Sequence, residues 1–159
     1  MKLNIRAASL FTLLLISLSL SGFGSGDAGA SVGSEDKKAT PADVQYVTAD
    51  ELKAKLAKNE PVTIIDVRGS TGLAGDNKIK GAVYVKLRRL KSRLTIPPLR
   101  DVPRDREVVT YCACPNDESS IRAAQVLLES GFKRVRVLKG GWVTWKRANG
   151  QVEPMSKGM

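Results

Sequence analysis

Two apolar stretches, Val62-Thr63-Ile64-Ile65-Asp66-Val67 and Val108-Val109-Thr110-Tyr111-Cys112, restrict the folds open to this chain. Each is rich in β-branched residues and bounded by turn signals. Such a run suits a strand buried on both faces, the habit of parallel sheets covered by helices. Helical patterns fall between the strands. Thr48 is placed to cap a helix over 49–57, with Glu51 at the capping-box spacing, and Asn59-Glu60-Pro61 breaks it. Residues 44–47, 82–85 and 135–138 supply shorter strands, and 87–94 a short helix. A longer helix over 119–130 is closed by Gly131, and a last one covers 142–147 after Gly140-Gly141. Strands alternating with helices predict an α/β layered domain around a mostly parallel sheet.

The N-terminus has a different character. Lys2 and Arg6 precede an apolar run over 7–20, and small polar residues lead to Ala28-Gly29-Ala30. This pattern predicts a secretory signal peptide over 1–30, cleaved after Ala30, and therefore an exported, periplasmic or extracellular protein. The apolar run falls short of the roughly 20 residues that span a bilayer, so no stable membrane anchor is expected. Residues 31–43 read as a flexible lead-in, 44–153 as one domain, and 154–159 as a loose tail. The formal charge of +10 is spread along the chain, with basic runs over 86–93 and 133–136. Charge dispersed in this way reads as the solvated surface of an exported protein, with a face that attracts small anions as the alternative. Nucleic acid is not expected as a partner: the chain has only three Phe, three Tyr and two Trp, and no known binding motif.

The only two cysteines lie together in Tyr111-Cys112-Ala113-Cys114-Pro115-Asn116-Asp117-Glu118-Ser119-Ser120. The order strand, loop, helix puts a thiol at the carboxyl end of a strand, facing the first turn of a helix. Unsatisfied N–H groups and the helix dipole favour a thiolate there. The sequence has no histidine, so no Cys–His pair can supply the activation. Two cysteines without histidine also lack the partner ligands for a metal, and no cofactor is implied. Asp66 and Cys112 both fall at strand carboxyl ends, where ligand sites of such sheets gather.

Four segments in order resemble the rhodanese (sulfurtransferase) family. Ile64-Ile65-Asp66-Val67-Arg68 is similar to its "DVR" strand end, and Ile79-Lys80-Gly81-Ala82 to its "I-P-G-A" turn. Residues 108–112 resemble the strand delivering the catalytic cysteine, and Leu138-Lys139-Gly140-Gly141-Trp142 with Trp145 the closing "L-x-G-G-x-x-x-W". The resemblance implies a rhodanese-like three-layer domain and a cysteine that carries sulfane sulfur as a persulfide. It departs at the loop. The family pattern C-x-x-x-x-R would put arginine at 117 from Cys112, or at 119 from Cys114, where Asp117 and Ser119 stand. The loop is thus about two residues longer than usual. Counting from the strand favours Cys112 as nucleophile; counting back from Ala123-Ala124 favours Cys114.

Cys112 is preferred, because it directly follows the strand and Pro115 removes an N–H from a loop centred on Cys114. Cys114 is then the alternate or resolving thiol. Asn116, Ser119 and Ser120 are expected to bind substrate, with Arg68 or Arg122 standing in for the absent arginine. Asp66 is expected to be structural, and Trp142 and Trp145 core. The expected function is transfer of sulfane sulfur from a small donor, through a cysteine persulfide, to a thiol or cyanide acceptor. The alternative is a non-catalytic binding or thiol-redox module with a redox protein partner. Acidic Asp117 and Glu118 beside the site predict poor use of a dianionic donor such as thiosulfate. A phosphatase of the C-x5-R type is disfavoured, since Glu118 or Ser120 would replace its arginine clamp.

Overall fold

The computed structural model describes residues 44–69 and 77–155; the expected signal peptide over 1–30 and the lead-in over 31–43 lie outside them. The elements run in the order β1 (Gln45–Val47), α1 (Ala49–Ala57), β2 (Val62–Asp66), β3 (Asn77–Ile79), β4 (Val83–Tyr84), α2 (Leu90–Arg93), β5 (Glu107–Tyr111), α3 (Glu118–Glu129), β6 (Arg134–Leu138), α4 (Gly141–Arg147) and β7 (Val152–Pro154). A 3₁₀ turn, Leu87–Arg89, leads into α2, so the helix expected over 87–94 is half 3₁₀ and half α.

Five strands form one sheet in the order β1-β6-β5-β2-β4, and every pairing is parallel. Period-two alternation divides the core between two faces. On β5, Val108 and Cys112 join Ile65, Ala123, Ala124 and Leu127 on one side. Val109 and Tyr111 join Leu52, Trp142 and Trp145 on the other. Helices α2 and α3 thus cover one face and α1 and α4 the opposite one, giving the three-layer α/β architecture.

Local chemistry accounts for the helix ends. At α1, Thr48 Oγ1 accepts from Glu51 N–H, and Glu51 Oε2 accepts from Thr48 N–H at 2.7 Å, a complete capping box. Helix α3 buries Ser120, Ala123, Ala124 and Leu127, the spacing of one helical face. It closes with Gly131 at φ 87°, while Phe132 N–H donates to the Leu127 carbonyl and Gly131 N–H to that of Leu128. This is a Schellman motif, and the left-handed residue at its turn is the reason for glycine.

One element is absent from the sequence reading. Residues 152–154 pair antiparallel with β3, through Ile79 and Val152, Lys78 and Glu153, and Asn77 and Pro154. The ladder therefore runs into the segment expected to be loose from residue 154, and Met155 Sδ lies 3.9 Å from an Arg68 nitrogen. A three-residue strand whose partner is remote in sequence leaves little periodic signal.

Candidate active site

From β2 the chain continues toward β4; from β5 it continues through α3 to β6, on the opposite side. The crevice between the carboxyl ends of β2 and β5 is where the winding reverses, the place at which open parallel sheets bind ligands. Asp66 ends β2 and Cys112 follows β5.

The Cys112 side chain is 0% exposed and sits under the first turn of α3. Its Sγ lies 3.4 Å from the Cys114 N–H and 3.4 Å from the Ser120 hydroxyl, and the Ser120 N–H points at it as well. Ser120 Oγ is also 2.8 Å from the Asp117 carbonyl. One hydroxyl proton cannot serve both acceptors fully. The carbonyl is the nearer of the two, and a charged sulfur would be the stronger acceptor. Burial pushes the Cys112 thiol above its ordinary range, against the opposing pull of the Ser120 hydroxyl and the loop N–H groups.

Cys114 is half-buried, and its Sγ lies 3.1 Å from the Ser119 hydroxyl. Partial burial raises this thiol. The Ser119 hydroxyl, the Cys112 side chain and the Ser119 N–H together outweigh that, so the group lies below its ordinary range. Glu118, exposed at the start of α3, opposes the shift with its charge. The contact between the two thiols acts in opposite senses, raising Cys112 and lowering Cys114. The two thiols are thus shifted apart, Cys112 upward and Cys114 downward.

The expected site residues separate into two groups. Cys112, Cys114, Ser119 and Ser120 come together as one loop-and-helix unit, and Asn116 is exposed at its turn. Arg122 is exposed on α3. Arg68 does not stand in for a loop arginine. It is buried, its Nε is 3.0 Å from both Asp66 oxygens, and its Nη2 is 2.7 Å from Oδ2 and 2.6 Å from the Asn77 carbonyl. Its guanidinium carbon lies 4.3 Å from the Trp142 ring centroid. Tyr111 completes this cluster, donating its hydroxyl to Asp66 Oδ2 at 2.7 Å and accepting from Ile79 N–H at 3.1 Å. The "DVR" residues thus fasten β2, β3 and β5 together behind the loop.

Asp117 also departs from expectation. Its carboxylate is buried, with Oδ2 accepting the Gly140 N–H at 2.9 Å. Its backbone is left-handed at φ 55°, and it starts α3 without capping it through its side chain. Burial raises its carboxyl above the usual carboxylate range, only partly offset by the Gly140 bond. Of the acidic pair expected to repel a dianion, Asp117 is buried against Gly140 and Glu118 is exposed at the start of α3. Sequence reasoning missed this tie, since a loop carboxylate and a remote glycine N–H share no local pattern.

A cleft of about 450 Å³ lies beside the loop, lined by Thr48, Pro115, Asp117, Lys139, Gly140 and Thr144. A larger one, about 570 Å³, is lined by Lys53, Leu56, Lys80, Trp145 and Gln151, with neither cysteine in its wall. Polar chemistry, not size, marks the site. Among the described residues no group of three or more His, Cys, Asp or Glu side chains is arranged to hold a metal, and no helix is long and apolar enough to cross a membrane.

Comparison with known proteins agrees with this fold. A sulfurtransferase of Allochromatium vinosum is 29% identical over 104 residues, covering 65% of this chain and 90% of that protein. The thiosulfate sulfurtransferase GlpE of Coxiella burnetii is 30% identical over 104 residues, with the same coverage of 65% and 90%. The solution structure of the rhodanese-like domain of the Anabaena protein Alr3790 superposes with a TM-score of 0.59 at 31% identity, covering 69% of this chain and 79% of that one. Such relatives support a sulfurtransferase-like role. The family model for the rhodanese-like domain matches residues 48–148, from the cap of α1 to the end of α4, and the chain belongs to that family.

Proposed function

We propose that the loop over 112–120 transfers sulfane sulfur as a cysteine persulfide stored on Cys112. The observation that carries this reading is the surround of Cys112 Sγ. It has two backbone N–H groups and a hydroxyl within reach, at the start of a helix and at the switch point of the sheet. Oriented donors of this kind stabilise a sulfur anion without a cationic side chain. A thiolate that breaks the donor's S–S bond leaves a persulfide in the loop and expels the donor's remaining anion. A thiol or cyanide then takes the outer sulfur and restores the thiolate. The donor is a small sulfane-sulfur compound and the acceptor a thiol. With residues 1–30 read as a signal peptide, the exchange takes place outside the cytoplasm.

Mass spectrometry of the intact protein after thiosulfate or cysteine persulfide tests this. A gain of one sulfur, removed by cyanide, is the expected result. A second reading, a thiol-redox module, is favoured by two free cysteines one residue apart in the loop, with the Cys114 N–H 3.4 Å from the Cys112 Sγ. It predicts loss of two hydrogens on mild oxidation and no sulfur gain from either donor.

A further inference from the structure

Accessibility and storage fall on different sulfurs in this loop. The thiol in the better cradle, Cys112, has no exposed surface, while Cys114 reaches solvent and holds the weaker cradle. A donor molecule cannot approach a fully covered sulfur in line. It can approach Cys114. The loop geometry fits: the Cys112 Sγ is enclosed by the Cys114 N–H and the Ser120 hydroxyl, each at 3.4 Å, while the Cys114 Sγ has the Ser119 hydroxyl at 3.1 Å.

Resting on the reading above, we propose that Cys114 takes sulfur from the donor and passes it to Cys112, the loop acting as a two-thiol relay. In the first step the Cys114 thiolate attacks the outer sulfur of a persulfide R–S–SH. A Cys114 S–S bond forms, the donor S–S bond breaks, and R–S⁻ leaves. With thiosulfate the leaving group is sulfite, and the bound sulfur carries the remaining negative charge until it is protonated. In the second step the Cys112 sulfur attacks the outer sulfur of Cys114–S–SH. The new bond forms on Cys112, the Cys114 bond breaks, and the Cys112 proton moves to the Cys114 sulfur. Nothing is oxidised or reduced overall. Once the Cys112 perthiol gives up its proton, the Ser120 hydroxyl, 3.4 Å from the Cys112 sulfur, can turn to it from the Asp117 carbonyl, and an acceptor draws the sulfur out again by the reverse transfer through Cys114.

The test is rapid-quench loading with cysteine persulfide and with thiosulfate. The sample is trapped with iodoacetamide, and fragmentation at Ala113 assigns the extra sulfur to one cysteine. In the wild type the sulfur is expected on Cys114 first and on Cys112 later. Cys112→Ser is expected still to take up one sulfur and to keep it on Cys114, since the serine hydroxyl cannot accept it. Cys114→Ser is expected to load Cys112 at least about tenfold more slowly, since attack must come from a buried, less acidic thiol. Three results overturn the relay: early sulfur on Cys112 in the wild type, loss of loading in Cys112→Ser, or a Cys112–Cys114 disulfide with released sulfide. The last would mean attack on the inner sulfur. If the wild type takes no sulfur from either donor, the proposed function falls and the relay with it. Loading in the wrong order removes the relay alone.

Discussion

The amide of Trp142 donates to the carbonyl of Cys112 at 2.8 Å, joining the first turn of α4 to the first residue of the reactive loop. The approach is close enough to exclude a side chain on the residue before. Gly141 is left-handed at φ 48°, and a Cβ there would lie 2.2 Å from the same carbonyl oxygen. Backbone cannot swing aside as a flexible side chain can.

Gly141→Ala is therefore expected to cost at least about 2 kcal/mol, from left-handed strain and from displacing α4 off the loop. Urea unfolding measures the loss. Sulfur loading should fall with it, because the Cys112 carbonyl is the loop's anchor. Wild-type stability in this variant would refute the close approach.

Arg68 and Asp66 form a fully buried ion pair, with side-chain exposures of 0% and 0%. Breaking such a pair by removing one partner leaves an uncompensated buried charge, a loss of about 3–5 kcal/mol. Arg68→Ala and Asp66→Ala should both show it in denaturant midpoint. Arg68→Lys should recover only part, because an ammonium cannot make the bidentate contact or stack on Trp142 as a guanidinium does. Tyr111→Phe removes one bond to Asp66 and leaves the Ile79 N–H unsatisfied, a loss of about 1–3 kcal/mol.

Thiol titration reports the contact between the cysteines. Cys114 lies below the ordinary thiol range, partly because Cys112 donates to it. A donor favours the thiolate, so removing it favours the protonated form. Cys112→Ala should move the pH midpoint of Cys114 alkylation upward. Glu118→Gln should move it downward, since the Glu118 charge raises this thiol. Unchanged midpoints in both variants would show that neither group faces the Cys114 sulfur.

Asp117 gives a stability prediction with a definite sign. Its carboxyl is raised in the fold, so the folded state holds the proton more tightly than the unfolded chain. That contribution is present below the unfolded value and is lost as pH rises through the folded one. At neutral pH the buried charge is thus a net cost. Asp117→Asn keeps an acceptor for Gly140 and tolerates the left-handed backbone, and it should be as stable as wild type at pH 7 or more so, by up to about 1 kcal/mol. Its preference between thiosulfate and cysteine persulfide should match wild type. A shift toward thiosulfate would show that the carboxylate faces the donor.

The sequence by itself determined the elements and their layering. Runs such as Ile64-Ile65 and Val108-Val109, with the Thr48–Glu51 box and the Gly131 stop, each carry a local signal that burial on two faces or one helix end imposes. The same local order put Cys112 after a strand and before a helix. Tertiary structure decided the roles within the site. Whether Arg68 faces donor or Asp66, whether Asp117 faces the cysteines or Gly140, and which thiol is covered all depend on chain segments remote in sequence. A short polar side chain can satisfy its hydrogen bonds in several directions, and only the packed neighbours select one. The pairing of 152–154 with β3 has the same origin, for a strand this short is chosen by its partner and not by its own pattern.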